Sequence, residues 1–263
     1  MSLQAATWKD FWQENAALFL RWWNRLRRQK IGILTSLAQP AIWLLLFGNL
    51  FSKMAQDTMP GTNYLTFMAA GTLIMTVFNG ALNGGVEVLF DRETGFLLRL
   101  LVAPIHRLSL VISRSAFVLA VSSAQSLIIL AVAYLAGVRV ASGLGGVAMI
   151  LLIGILFGSG LVSLSMALAF LIRQHGEFFT VLSFVSLPLL FLSTALAPLS
   201  VMPSWMKVLA SLNPMTYAID ATRTLIMVGW DWGLVGQLVG ILVLFDFLAG
   251  IVSLWVIERG LKV

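Results

Sequence analysis

Long apolar runs separated by short polar breaks dominate this chain. They fall at Ile31–Phe51, Tyr64–Phe90, Leu108–Gly137, Gly145–Ile172, Phe178–Ala197 and Leu234–Ile257. Each holds about 18 residues or more, enough to cross ~30 Å of hydrocarbon as a helix. Helices are expected because lipid offers no partner to unpaired backbone groups, and no alternating barrel pattern competes. The pattern predicts one all-α integral membrane domain over residues 1–263, with six transmembrane helices. The third run is long for an upright helix and predicts a tilt or an interfacial start. Pro40 and Pro188 predict kinks in the first and fifth spans. No internal repeat or low-complexity linker divides the chain.

Two segments outside the runs have helical patterns of their own. Residues 7–29 are amphipathic: Trp8, Trp12, Phe19, Trp22 and Leu26 share one broad face, and Arg21, Arg25 and Arg28 follow another. Aromatic and arginine faces in opposition predict a helix lying in the headgroup region. Residues 198–233 are too long for a plain connection. Pro203 fits the first turn of a helix carrying Trp205, Val208 and Leu209. Asn213-Pro214 reads as a cap and first position for a second helix, running to about Val228. Both are too short or too polar to span, which predicts re-entrant outer helices satisfied by protein or water.

Composition agrees. The chain of 263 residues is 59% hydrophobic and 11% charged, with mean hydropathy +0.94. A formal charge of +6 would suggest nucleic acid in a soluble chain. Here the basic residues are better explained as anchors of one membrane face. Lys9, Arg21, Arg25, Arg27, Arg28, Lys30, Arg92, Arg99, Arg107, Arg114, Arg173, Arg259 and Lys262 fall on one side. Only Lys53, Arg139, Lys207 and Arg223 fall on the other. This predicts cytoplasmic termini and a cytoplasmic loop FDRETGFLLRLLVAPIHR, Phe90–Arg107. The first residues, MSLQAATWKDFWQEN, lack the apolar core of a signal peptide. With no cysteine, disulfides and thiolate metal sites are excluded.

Catalytic patterns are missing. No Gly-Lys pair occurs, so the chain has no P-loop. There is no H-E-x-x-H and no G-x-S-x-G elbow. His106 and His175 stand in separate cytoplasmic loops, and Asp91 and Glu93 lack nearby carboxylates for a metal. Charges inside spans are costly and merit attention. Glu87 and Arg114 flank the cytoplasmic loop and could pair across spans two and three. Asp246 lies deeper, about 16 Å from the cytoplasmic end of span six at 1.5 Å per residue. It could hydrogen-bond within the bundle, line a cavity or accept a proton. GALNG (Gly80–Gly84), GILFG (Gly154–Gly158) and GQLVG (Gly236–Gly240) are small-xxx-small motifs, expected to pack inside the bundle or to line a dimer seam.

Asp91, Arg92, Glu93 and Gly95, followed by Leu100, Leu101, Val102, Ala103, Pro104 and Arg107, resemble the signature of the ABC-2 type of ABC exporter permease. LNPMTYAIDATRTL, Leu212–Leu225, resembles that family's block before its last span. Where many members continue the glycine with Thr-Leu-Glu, this chain has Phe96-Leu97-Leu98, closer to the daunorubicin-resistance branch. That resemblance favours amphipathic drug or lipid-like cargo over polysaccharide, and it also implies a bacterial inner-membrane location.

It further implies a homodimeric pathway driven by two copies of a separate cytoplasmic ATPase, with ATP and Mg on that partner and no cofactor or catalysis here. The coupling helix would run over residues 91–107 and use Arg92, Glu93, Gly95, Phe96, Leu97, Arg99, Leu101, Pro104 and Arg107. Leu97 and Leu101 would form its apolar ridge, Arg92 and Arg99 a charged face, and Pro104 its end. The interfacial helix, with Trp12, Arg21, Trp22, Arg25 and Arg28, would flank it. Asn213, Pro214, Tyr217 and Asp220 would close the exit. Two rivals remain. A proton- or ion-coupled secondary transporter would use Asp246 and show inverted repeats. A membrane-embedded enzyme would need a polar catalytic cluster at one interface.

Overall fold

The computed structural model describes residues 8–28, 30–52, 63–96, 99, 107–172 and 174–260. All regular structure among them is helical. In chain order it comprises α1 (Trp8–Arg28), α2 (Lys30–Ile42), a π-helical turn (Trp43–Phe47), α3 (Gly48–Leu50), α4 (Tyr64–Leu82), a 3-10 turn (Asn83–Gly85) and α5 (Val86–Glu93). There follow α6 (Arg107–Leu135), α7 (Gly143–Leu171), α8 (His175–Phe191), a 3-10 turn (Leu199–Val201), α9 (Ser204–Leu212), α10 (Pro214–Met227) and α11 (Trp232–Gly260).

Among the described residues four stretches are long and apolar enough to cross a membrane: Tyr64–Glu93, Val111–Leu135, Gly143–Leu171 and Trp232–Val256. The first and fifth sequence-predicted spans fall on shorter apolar helices, Leu34–Leu50 and His175–Phe191. The fifth was expected to reach Ala197. It stops at Phe191, where Leu192 donates to the Pro188 carbonyl and the chain turns. In the first, Pro40 has no N–H for the carbonyl one turn back, and the helix widens into the π turn three residues later.

α4 is the hub. In its most apolar window 78% is buried, against 22% for α11, so α4 is wrapped by protein while α11 turns most of its surface outward. α6, α7 and α10 surround α4, and α11 packs along α7 and α10. Close approach depends on glycine at particular points. A Cβ on Gly71 would lie 2.5 Å from the Ala195 carbonyl oxygen, and one on Gly158 would lie 2.7 Å from Leu119. Gly80 faces Ser122, Gly84 faces Val162, and Gly154 faces Val77, so two of the three small-residue motifs pack internally. Gly236 and Gly240 meet nothing within 4 Å.

α1 is tied to the bundle as well as lying at its edge. Asn15 donates to Ser109 (3.3 Å), Ser109 donates to Glu14 (2.8 Å), and Phe19 meets Phe117 edge-on at 5.6 Å. Trp22 is buried, while Trp12 and Trp23 are exposed. The expected opposition of aromatic and arginine faces is therefore corrected: Trp22, Arg21 and Arg25 together face the protein, and Arg28 faces out.

Candidate functional site

Arg21, Arg25, Glu87, Asp91 and Arg114 gather into one cluster where α1, α5 and α6 meet. Arg21 grips Asp91 with both prongs of its guanidinium, Nη1 to Oδ2 at 3.0 Å and Nη2 to Oδ1 at 2.5 Å. Planar two-pronged pairing is what arginine does and lysine cannot. The same guanidinium lies 4.4 Å from the Trp22 ring centroid and 3.8 Å from that of Phe96. Arg25 pairs with Glu87 at 2.6 Å. The direct Glu87–Arg114 pair expected from sequence does not form. Arg114 instead donates from Nε to the Gly84 carbonyl at 3.0 Å, beneath the rings of Trp22 and Phe117. α1 can intervene because its arginines recur every fourth residue and point at the α5 carboxylates.

This cluster sits beside a break in the Tyr64–Glu93 stretch. Asn83–Gly85 form a 3-10 turn inside the otherwise continuous helix. Such a turn frees backbone groups, and each freed group needs a partner. Ser165 of α7 supplies one hydroxyl to two of them, accepting from the Gly85 amide (3.0 Å) and donating to the Leu82 carbonyl (2.5 Å). Arg114 takes the Gly84 carbonyl. A Cβ on Gly85 would lie 2.3 Å from the Ser165 backbone oxygen, so only glycine fits. The turn is thus held by the arginine that belongs to the charge cluster.

The coupling segment departs from its expected shape. Arg92 and Glu93 do not begin a separate helix; they end α5. Gly95 follows with φ +69, a left-handed conformation that glycine adopts without strain. The Arg99 amide then donates to the Gly95 carbonyl, restarting a helical turn. Arg92 and Arg99 therefore do not share one helix face. Arg92 reaches back to the carbonyls of Ile172 (3.2 Å) and Phe170 (3.4 Å), closing the end of α7. Glu93 pairs with His175 at the start of α8, beside Phe90. Phe96 covers Arg21, and Arg99 is exposed. Leu97, Leu101 and Pro104 lie outside the described residues, and Arg107 is the first residue of α6.

At the opposite end, the expected cap of α10 is present: Asn213 accepts from the Met215 amide at 2.9 Å, with Pro214 following. Its amide group also donates to Leu189 and Leu192, both at 2.6 Å, tying α10 to the end of α8. Tyr217 donates to the Ser211 carbonyl at 2.5 Å. Asp220 accepts from Arg223 and from Thr194, each at 2.8 Å, and Arg223 donates to the Thr194 carbonyl at 2.6 Å while covering Phe67. Burial pushes the Asp220 carboxyl up, and Arg223 and the Thr194 hydroxyl pull it back. The sequence places Arg223 in the same family-like block as Asp220 but does not show that the two pair.

Asp246 accepts from Ser159 of α7 at 2.8 Å, so its partner is a hydroxyl on the neighbouring helix. Among the described residues no group of histidines and carboxylates could hold a metal. Two cavities adjoin α2. One, of about 340 Å³, lies between α2, α4 and α6, with Arg114 on its wall. The other, of about 240 Å³, lies between α2, α4 and α8. They share Gln39, Pro40 and Asn79. These amides were missed because single polar residues in apolar runs look incidental.

Residues 13–227 match the ABC-2 type transporter family. The chain belongs to that family. It is 37% identical over 251 residues to "Putative transport permease ycf38" of Pyropia yezoensis, covering 90% of this chain and 86% of the relative. Relatives of the same name from Porphyra purpurea and Cyanophora paradoxa are 35% and 36% identical, over 95% and 82% of this chain and 89% and 74% of theirs. The protein is a transport permease of the ABC-2 type. The match contains the charge cluster and the α10 cap; α11, with Asp246, follows it.

Proposed function

We propose that this permease is the membrane subunit of an ATP-driven exporter in a bacterial inner membrane. Two copies form the path for an amphipathic drug, a lipid or a lipid-linked glycan. Two copies of a separate cytoplasmic ATPase carry ATP and Mg and dock on the segment after Gly95. Six helices cross, the two shorter ones included, with α9 and α10 dipping from the outer face and both termini cytoplasmic. The observation that carries the mechanism is Phe96 lying on Arg21 while Arg21 grips Asp91. A push on the segment after Gly95 reaches Phe96, then Arg21, then the end of α5. From there it meets the 3-10 turn at Asn83–Gly85, where a bend can alter α4.

Secondary transport through Asp246 has less support. Asp246 is held by Ser159 and is on the wall of neither cavity beside α2. The test is purification in mild detergent after co-expression with the neighbouring genes. A P-loop ATPase should elute with this chain at one-to-one stoichiometry, and deleting residues 96–106 should abolish the association. Elution alone, with transport in liposomes that lack ATP, would refute the reading.

A further inference from the structure

The cavity between α2, α4 and α6 has an unusual wall for a bundle this apolar. Ser36, Gln39, Asn79, Asn83, Ser122 and Gln125 all face it. Gln125 donates to Ser36 at 2.8 Å, but no hydrogen bond joins the side chains of Gln39 or Asn79 to another described residue. An amide left without a partner beside lipid is costly, so a space lined by amides and hydroxyls is built for a polar occupant. Gln125 is eleven residues beyond Arg114 on α6, so the polar wall runs about 16 Å along the helix at 1.5 Å per residue.

Arg114 decides the charge of that occupant. It is only 8% exposed and lies on the cavity wall. The charges acting on it are Glu87, Asp91, Arg21 and Arg25. These four already pair with each other, Arg21 with Asp91 and Arg25 with Glu87. The cluster thus holds three guanidiniums and two carboxylates, and Arg114 is the excess. One carbonyl and two aromatic rings offset part of the cost of burying it. Among the described residues no carboxylate lines this cavity or the next one. The adjoining cavity is mostly apolar, with Trp43, Met75, Phe78, Leu187 and Leu190 on its wall.

We infer that these two cavities form one binding site for an anionic amphiphile, its phosphate- or carboxylate-type head beside Arg114 and its tail along Trp43 and Phe78. As cargo, such a molecule rests on the exporter reading; its binding to this chain does not. Cationic amphiphilic drugs find no counter-charge here.

Native mass spectrometry of the full chain in neutral detergent tests this without any ATPase. The probes are dodecyl phosphate, dodecyltrimethylammonium and inorganic phosphate at equal concentration. Dodecyl phosphate should be retained at least tenfold more than either of the others. Arg114→Gln should remove that preference, Arg114→Lys should keep most of it, and Asn79→Leu should weaken retention severalfold. If Arg114→Gln does not fold, the Lys and Leu variants carry the test. Equal retention of the two amphiphiles, a preference unchanged by Arg114→Gln, or retention unchanged by Asn79→Leu, overturns the site. Inorganic phosphate held as tightly as dodecyl phosphate removes the tail cavity and overturns it too. Failure of this assay leaves the docking test untouched, and the reverse also holds.

Discussion

Arg21 and Asp91, seventy residues apart, meet through two parallel hydrogen bonds of 3.0 and 2.5 Å, and Asp91 is 5% exposed. The pair fastens α1 to the end of α5. Removing one partner strands the other charge, at a cost of about 3 kcal/mol. Asp91→Asn and Arg21→Gln should each lower the melting temperature of the purified permease. The double change Arg21→Met with Asp91→Leu should recover much of the loss, because an apolar pair of similar volume needs no counter-charge. Thermal size-exclusion of the three variants measures this; singles that melt like the parent would show that the pair contributes nothing.

Gly85→Ala should be severe. Its Cβ would meet the Ser165 backbone oxygen at 2.3 Å, and backbone cannot swing aside as a side chain can. A strained or displaced α7 costs roughly 1–3 kcal/mol. Gly236→Ala, with nothing within 4 Å, is the matched control and should express normally. Similar monodispersity of the two variants would contradict the close contact.

At the start of α10, Asn213→Ala removes an N-cap worth about 1 kcal/mol and two further bonds to the end of α8. Arg223→Gln leaves Asp220 with the Thr194 hydroxyl alone. Both should raise the rate of limited proteolysis between α8 and α10. Protection equal to the parent would mean that this cluster does not hold α10 to the end of α8.

Asp246→Asn keeps an oxygen that can accept from Ser159. ATP-driven transport should stay within about twofold of the parent, a barrier change of about 0.4 kcal/mol. A collapse of transport, with folding intact, would favour proton coupling over the ATPase-driven account.

The apolar pattern made the long helices legible, because each had to be apolar enough for lipid. The α10 cap was legible too, since Asn-Pro at a helix start is a local device. What pairs with what was not. Arg21, Arg25 and Arg28 follow one stripe of a helical wheel; only the placement of α1 decides that the first two take Asp91 and Glu87. The break at Gly95 was hidden because leucines on both sides read as one helix, and glycine signals left-handed backbone only once its neighbours are known. Asp246 could not name Ser159 for the same reason: the contact joins α7 and α11 across 87 residues. The cavity amides gave a weak signal, isolated Gln39 and Asn79 in apolar runs, visible only when both faced one space.

The most direct test of the account is ATP-driven flux in proteoliposomes holding the permease with its co-purified ATPase, comparing the parent with Phe96→Ala. The loss of Phe96 should leave the complex assembled and ATP hydrolysis running while transport per ATP falls at least tenfold. Transport per ATP equal to the parent would mean that movement does not pass from Phe96 through Arg21 to the second span, and the proposed coupling route would be wrong.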